Sequence, residues 1–197
     1  MRRRKVSKEQ ILKKAAELFS KKGFHLTKIE DITESLSIAK GTFYLYFKSK
    51  EELLRKIILN LHQEIYSINK SIIESVGDWV ERFEKLILES LKFIKDKMVF
   101  IRVFVEEGLW RQGIKKMSDF DEIMKVERKG QSKLVEFFKE GIRKGNLSNF
   151  FSPEEVSLFF TFIIRSRVFK YIFDKKKFNI KKECEIFKRF FLEGAGR

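Results

Sequence analysis

Lys40, Gly41, Tyr44 and Leu45 stand at i, i+1, i+4 and i+5, a spacing that puts all four on one side of a helix. Phe43 and Phe47 fall on the opposite side. A lysine ammonium and a tyrosine hydroxyl can reach base-pair edges in a DNA groove, and a leucine can lie against a thymine methyl group. A glycine lets the backbone approach another surface closely, although it costs a helix roughly 1 kcal/mol relative to alanine. Thr42, Tyr46, Lys48 and Lys50 add hydroxyls and ammoniums around the same edge, types that hold phosphate oxygens. Arg2, Arg3, Arg4 and Lys5 form a basic arm ahead of this region, of the kind that follows phosphates or enters a minor groove. Such a set grips a polyanion rather than breaking bonds.

These residues need a frame. The segment 27–47, TKIEDITESLSIAKGTFYLYF, fits two short helices with a tight turn near Leu36 to Ile38. Helices below roughly 12–15 residues are marginal alone, so they must pack on each other and on the helix before them. That first helix opens on a Ser7/Gln10 capping box and stops at Gly23. Ile32, Leu36, Ile38, Phe43 and Phe47 supply the packing. The result is a three-helix unit of helix-turn-helix type. Thr27/Glu30 and Ser49/Glu52 read as further capping boxes. From Ser49 a stripe of Leu53, Ile57, Leu61, Ile65, Ile68 and Ile72 predicts a helix reaching about Val76, about 40 Å long. Asp78/Glu81, Ser118 or Asp119, Ser152-Pro153-Glu154-Glu155 and Asn179 mark later helix starts, and Met98 to Trp110 reads as another helix. The fold class is all-α, with about nine helices. The expected division is a DNA-binding head at 1–48 and a helical body at 49–197.

Composition agrees with that division. The 197 residues carry 43 Lys/Arg and 28 Asp/Glu, a net charge of +15, which favours polyanionic partners. Residues 1–50 hold +8 of it, while 18 of the 22 Phe lie beyond residue 50. A single Cys and two His argue against a disulfide framework and against a His/Cys metal centre, so no metal and no cofactor are expected. The basic start is followed by VSKEQILKKAAELF, charged where a signal sequence would be apolar. The most apolar run, Leu158 to Ile164, is far short of the roughly 20 residues that span a bilayer. A cytoplasmic protein with no membrane partner is expected. The sequence has no G-x-S-x-G, H-E-x-x-H, P-loop or G-x-G-x-x-G, so no enzyme is expected and no catalytic residue is assigned. A peripheral membrane protein using basic amphipathic helices would explain the charge, but not the string at 41–50.

Residues 27–55 resemble the N-terminal signature of TetR-type transcriptional regulators, T-x-x-x-x-I-A-x-x-A-G-V-S-x-G-T-x-Y-x-Y-F-x-x-K-x-x-L. Thr27, Ile32, Ile38, Gly41, Thr42, Tyr44, Tyr46, Phe47, Lys50 and Leu53 stand at the matching places. Among the departures, Ser37 replaces a turn glycine, Ala39 a serine, and Leu45 a commonly polar residue. The resemblance implies a repressor that leaves a palindromic double-stranded DNA operator when a small-molecule effector binds. Lys40, Gly41, Tyr44 and Leu45 would then face bases. Thr27, Lys28, Thr42, Tyr46, Lys48 and Lys50 would hold phosphates.

The resemblance also implies an effector cavity and a dimer in the helical body. Aromatic and apolar side chains line such cavities, and His62, Tyr66, Phe83, Phe104, Trp110, Met117, Met124 and Phe162 are the candidates for an apolar or amphipathic effector. Twelve of the 18 positions from Val156 to Phe173 are apolar, more than one stripe needs, so that helix requires two burial partners. A homodimer is expected through this helix and the last one, with Phe159, Ile163, Phe169, Phe173, Phe187 and Phe191 at the interface.

Overall fold

Helix-start signals are realised as side-chain caps along the chain. In a computed structural model, residues 6–106, 120–173 and 179–194 are described, and they hold nine α-helices. Ser7 Oγ accepts from the Gln10 N–H at 3.2 Å and Gln10 Oε1 accepts from the Ser7 N–H at 2.8 Å, opening α1, Lys8–Lys22. Its end is Gly23, at φ 84°, whose N–H donates to the Phe19 carbonyl. α2 is Ile29–Ser35, α3 is Lys40–Tyr44, and α4 is Lys50–Ile73 with Ser49 Oγ accepting from the Glu52 N–H. Asp78 caps α5, Trp79–Asp96, through the N–H groups of Val80 and Glu81. α6 is Met98–Glu106 and α7 is Phe120–Arg143. Ser152 and Glu155 form the expected box at the start of α8, Pro153–Phe173. Asn179 Oδ1 caps α9, Ile180–Lys188, which continues as a π-helical turn over Arg189–Gly194. Among the described residues there is no strand. The expected caps Ser118 and Asp119 lie outside the described residues, as does the end of the helix expected at Met98 to Trp110.

The chain divides into two compact units, one of Met1–Leu61 with Lys97–Ile123, the other of His62–Asp96 with Met124–Arg197. The first unit is larger than segment 1–48, because it takes in the first three turns of α4 and also α6, which packs on α1. Ile11, Leu12, Ala15, Ala16 and Phe19 form the buried face of α1, and two alanines there let neighbouring helices approach closely. Ile32, Phe43 and Phe47 add the buried side chains of α2, α3 and the turn after it.

The second unit is built on aromatic rings. Trp79 stacks on Phe83 and Phe137, with centroids 5.1 and 5.0 Å apart, and its indole N–H donates to the Phe137 carbonyl at 2.9 Å. Phe138, Phe160, Phe187 and Phe191 complete the cluster. Gly141 on α7 makes room for the indole: a Cβ there would meet two Trp79 ring carbons at 2.5 Å. Buried Arg82 ties three helices together. Its guanidinium donates to the Ile73 carbonyl at the end of α4 and to Glu140 on α7. The Arg82 hydrogen bond holds the Glu140 carboxyl below its ordinary pKa.

Three sequence expectations are corrected by this core. Phe83 is buried among six other aromatic rings and packs as core rather than lining a cavity. Phe187 and Phe191 are buried within the same cluster, so a second copy of the chain cannot touch them. Four residues apart, they share the inward face, and Phe190 is left nearly half exposed.

Candidate nucleic-acid interface

The α2–α3 turn is made by left-handed backbone at Ser37, φ 53°. The Ser37 N–H donates to the Glu34 carbonyl and the Ile38 N–H to the Thr33 carbonyl, closing the end of α2. A serine therefore occupies a conformation that favours glycine. Ala39 is the N-cap of α3, with extended backbone and no side-chain cap. Phe43 fixes the roll of α3: it is fully buried and packs against Phe47 with centroids 5.8 Å apart.

With Phe43 inward, the outward side of α3 follows. Lys40 and Gly41 are exposed, and nothing lies within 4 Å of where a Gly41 side chain would begin. Tyr44 is 48% exposed, its ring standing edge-on to Phe43, and Leu45 is 83% exposed. Thr42 is partly exposed, while Lys28 and Lys48 are exposed on either flank. The Lys40 ammonium pairs with the Glu30 carboxylate of α2, a contact absent from the sequence expectation.

Thr27, Tyr46 and Lys50 have other partners. Thr27 is buried, and its hydroxyl donates to the Gly23 carbonyl at 2.7 Å. The cap expected from Thr27 and Glu30 is replaced by Asp31, whose carboxylate accepts from the Lys28 N–H at 2.8 Å. The Tyr46 hydroxyl donates to the Val6 carbonyl at 2.9 Å, tying the chain ahead of α1 to the head. The Lys50 ammonium donates to the Phe24 and Thr27 carbonyls at 2.7 and 2.8 Å and sits 4.4 Å from the centre of the Phe24 ring. These three side chains hold the loop between α1 and α2 and the start of α1 in place. Their polar types are visible in the sequence; their partners, 4 to 40 residues away, are not.

In the second unit, the candidate effector residues scatter. The His62 Nδ1 lies 2.7 Å from Glu127, which also receives the Arg165 guanidinium at 2.6 and 2.8 Å. Burial alone would raise the Glu127 pKa; the His62 hydrogen bond and the Arg165 charge outweigh it and hold the carboxyl down at about 2. Below this cluster, Gln131 of α7 bonds Ser157 and Thr161 of α8. Tyr66 lies beside Gly130, close to the same helix, and Met124 is partly buried. Phe162 is 71% exposed and shares an outward stripe of α8 with Leu158, Phe159 and Phe169. Ile163 is partly buried against the core. The side chains of Phe104 and Phe173, with Trp110 and Met117, lie outside the described residues. Among the described residues, no group of three or more His, Cys, Asp or Glu side chains is placed to hold a metal ion, and no helix is long and apolar enough to cross a membrane.

A small three-helix head whose last helix turns lysine, glycine, tyrosine and leucine outward defines a helix-turn-helix DNA-binding protein. Residues 11–57 match the family model described as "Bacterial regulatory proteins, tetR family". The transcriptional repressor KstR2 of Mycolicibacterium smegmatis is 26% identical over 160 residues, 79% of this chain and 73% of that protein. The solved structure of the ketosteroid transcriptional regulator KstR2 of Mycobacterium tuberculosis superposes with a TM-score of 0.76 at 19% identity, covering 98% of this chain and 97% of that one. A Clostridium perfringens putative fatty acid metabolism regulator gives 0.77 at 21% identity, covering 94% and 97%. The chain carries a tetR-family DNA-binding region over residues 11–57. It is a DNA-binding transcriptional regulator and not an enzyme.

Proposed function

We propose that this regulator is a homodimeric repressor that sits on a palindromic operator and leaves it when a small effector binds the second unit. The observation that carries the DNA half is the bare outward side of α3. Lys40, Gly41, Tyr44 and Leu45 lie where they can enter a major groove, and Lys28, Thr42 and Lys48 flank them for phosphates. Thr27, Tyr46 and Lys50 serve the same site indirectly, by holding the head in shape. A DNA-bound role suits a cytoplasmic protein.

An apolar or amphipathic effector suits a unit so rich in Phe, and the His62–Glu127–Arg165 cluster offers a polar end near Tyr66 and Met124. The names of structural neighbours, a ketosteroid regulator and a fatty acid metabolism regulator, point the same way. α4 runs from Lys50 in one unit to Ile73 in the other, and α7 also passes from one to the other, so each is a covalent route between effector and reader. An effector shifts the balance only by its differential affinity for the two arrangements. The dimer would form on the exposed stripe of Leu158, Phe159, Phe162 and Phe169.

Fluorescence-anisotropy titration of duplex DNA selected from a random pool tests the reading. Tyr44→Ala should weaken binding about fivefold or more, since a base contact is worth about 1–3 kcal/mol, with the melting curve unchanged. Equal affinities for mutant and parent would refute the assignment of α3.

A further inference from the structure

We infer that Glu30 is a specificity-determining residue: by pairing with Lys40 it keeps that lysine from serving as an indiscriminate phosphate ligand. The inference rests on the DNA-binding reading above and goes past it, because Glu30 is neither a base-contact candidate nor a phosphate-contact candidate.

The argument starts from placement. Glu30 lies in the first turn of α2 and Lys40 opens α3, ten residues later across the Ser37 turn. Their side chains meet on the surface, with Lys40 53% and Glu30 49% exposed. The neighbouring acid, Asp31, is occupied by Lys22 and by the Lys28 N–H, so Glu30 is the carboxylate that answers Lys40. An exposed pair of this kind is weak, about 0.2–1 kcal/mol, and DNA can exchange it at little cost. While it holds, the Lys40 charge is neutralised, and the Glu30 charge itself opposes the approach of phosphates. A random duplex offers Lys40 mainly phosphates and seldom a guanine at the right step, and phosphates are diffuse competitors for a carboxylate already in contact. A guanine at the right step offers O6 and N7 together, which is a better exchange. Lys40 then contributes mainly where the sequence suits it. Specificity arises because the wrong complexes are disfavoured rather than because the right one gains contacts.

The test is a double-mutant cycle with a random-sequence duplex as probe, titrated by anisotropy between 50 and 200 mM salt. Glu30→Gln should raise affinity about two- to fivefold, the upper part of what a surface ion pair is worth. The slope of log K against log salt should steepen by about 0.9 for each head bound, one more phosphate neutralised. In a Lys40→Gln background the same change should alter affinity by less than twofold. Operator affinity should rise less than random affinity, so their ratio falls. A melting curve checks that Glu30→Gln, an isosteric change on the surface, leaves the head folded. Unchanged affinity and slope overturn the inference, and so does an equal gain without Lys40, which would mean that Glu30 acts only as a general negative charge. A parent protein that binds no duplex removes the DNA-binding reading and this one together; binding by the parent with an inert Glu30→Gln removes this one alone.

Discussion

Ser37 is the one non-glycine residue with positive φ among those described, at 53°. Its Cβ crowds the following carbonyl, a strain of roughly 1 kcal/mol that glycine escapes. Ser37→Gly should therefore stabilise the fold by up to about 0.6 kcal/mol, net of the extra freedom glycine has in the unfolded chain. Urea denaturation would show it as a higher midpoint at constant slope; a lower midpoint would mean that the serine side chain supplies a compensating contact. Glu127 makes a second residue-scale prediction. Its carboxyl is held at about 2 against an ordinary 4.5. A depressed carboxyl pKa stabilises the fold fully above the unfolded value and loses that contribution as pH falls toward the folded one. The parent should thus lose on the order of 2 kcal/mol between pH 4.5 and 2 through this group. Glu127→Gln should melt lower at pH 7 and show a smaller difference from the parent near pH 2. A constant difference across that range would show that the variant acts through packing alone.

At the scale of elements, starts and stops were legible because capping is local. Ser7 with Gln10, Ser49 with Glu52, Asp78 with Glu81 and Ser152 with Glu155 lie three residues apart, and each pair marks a helix start. Thr27 with Glu30 has the same spacing, yet Thr27 turns inward to the Gly23 carbonyl. Spacing cannot reveal a competing partner upstream. The outward side of α3 was legible too, because Phe43 fixes its roll. The Phe-rich helices were not. α8 is apolar on most sides, so periodicity does not say which rings meet their own bundle. Along α9 and the turn after it Phe187 and Phe191 face inward and Phe190 outward, and a stripe that holds all three does not say which of them meets the core. The aromatic core in turn predicts a glycine requirement on α7. Gly141→Ala places a methyl group 2.5 Å from rigid indole carbons. It should cost about 1–3 kcal/mol as an overpacking change, although alanine is the better helix former. A stabilised variant in thermal melts would mean that Trp79 has another place to go.

The whole molecule adds what neither unit offers alone. α8 presents Leu158, Phe159, Phe162 and Phe169 outward, a stripe at spacings of one, three and seven residues, too continuous to be scattered surface apolars. If two chains join along it, two reader heads are carried by one particle. The second head then binds as an intramolecular event, and avidity multiplies affinity without any new contact, by about 10²–10⁴ where the geometry permits both heads to engage. Phe162→Lys with Phe169→Lys puts like charges into that stripe and touches nothing in the first unit's α3. Sedimentation should report monomers, and affinity for a two-half-site duplex should fall by about a hundredfold or more. Binding to a single half-site should change little, because each head and its phosphate contacts remain. The salt slope on the long duplex should also fall toward half, since half of the phosphates are then contacted at once. A dimer that survives both lysines would move the interface off this stripe, whereas monomers with undiminished affinity for the long duplex would show that one head suffices.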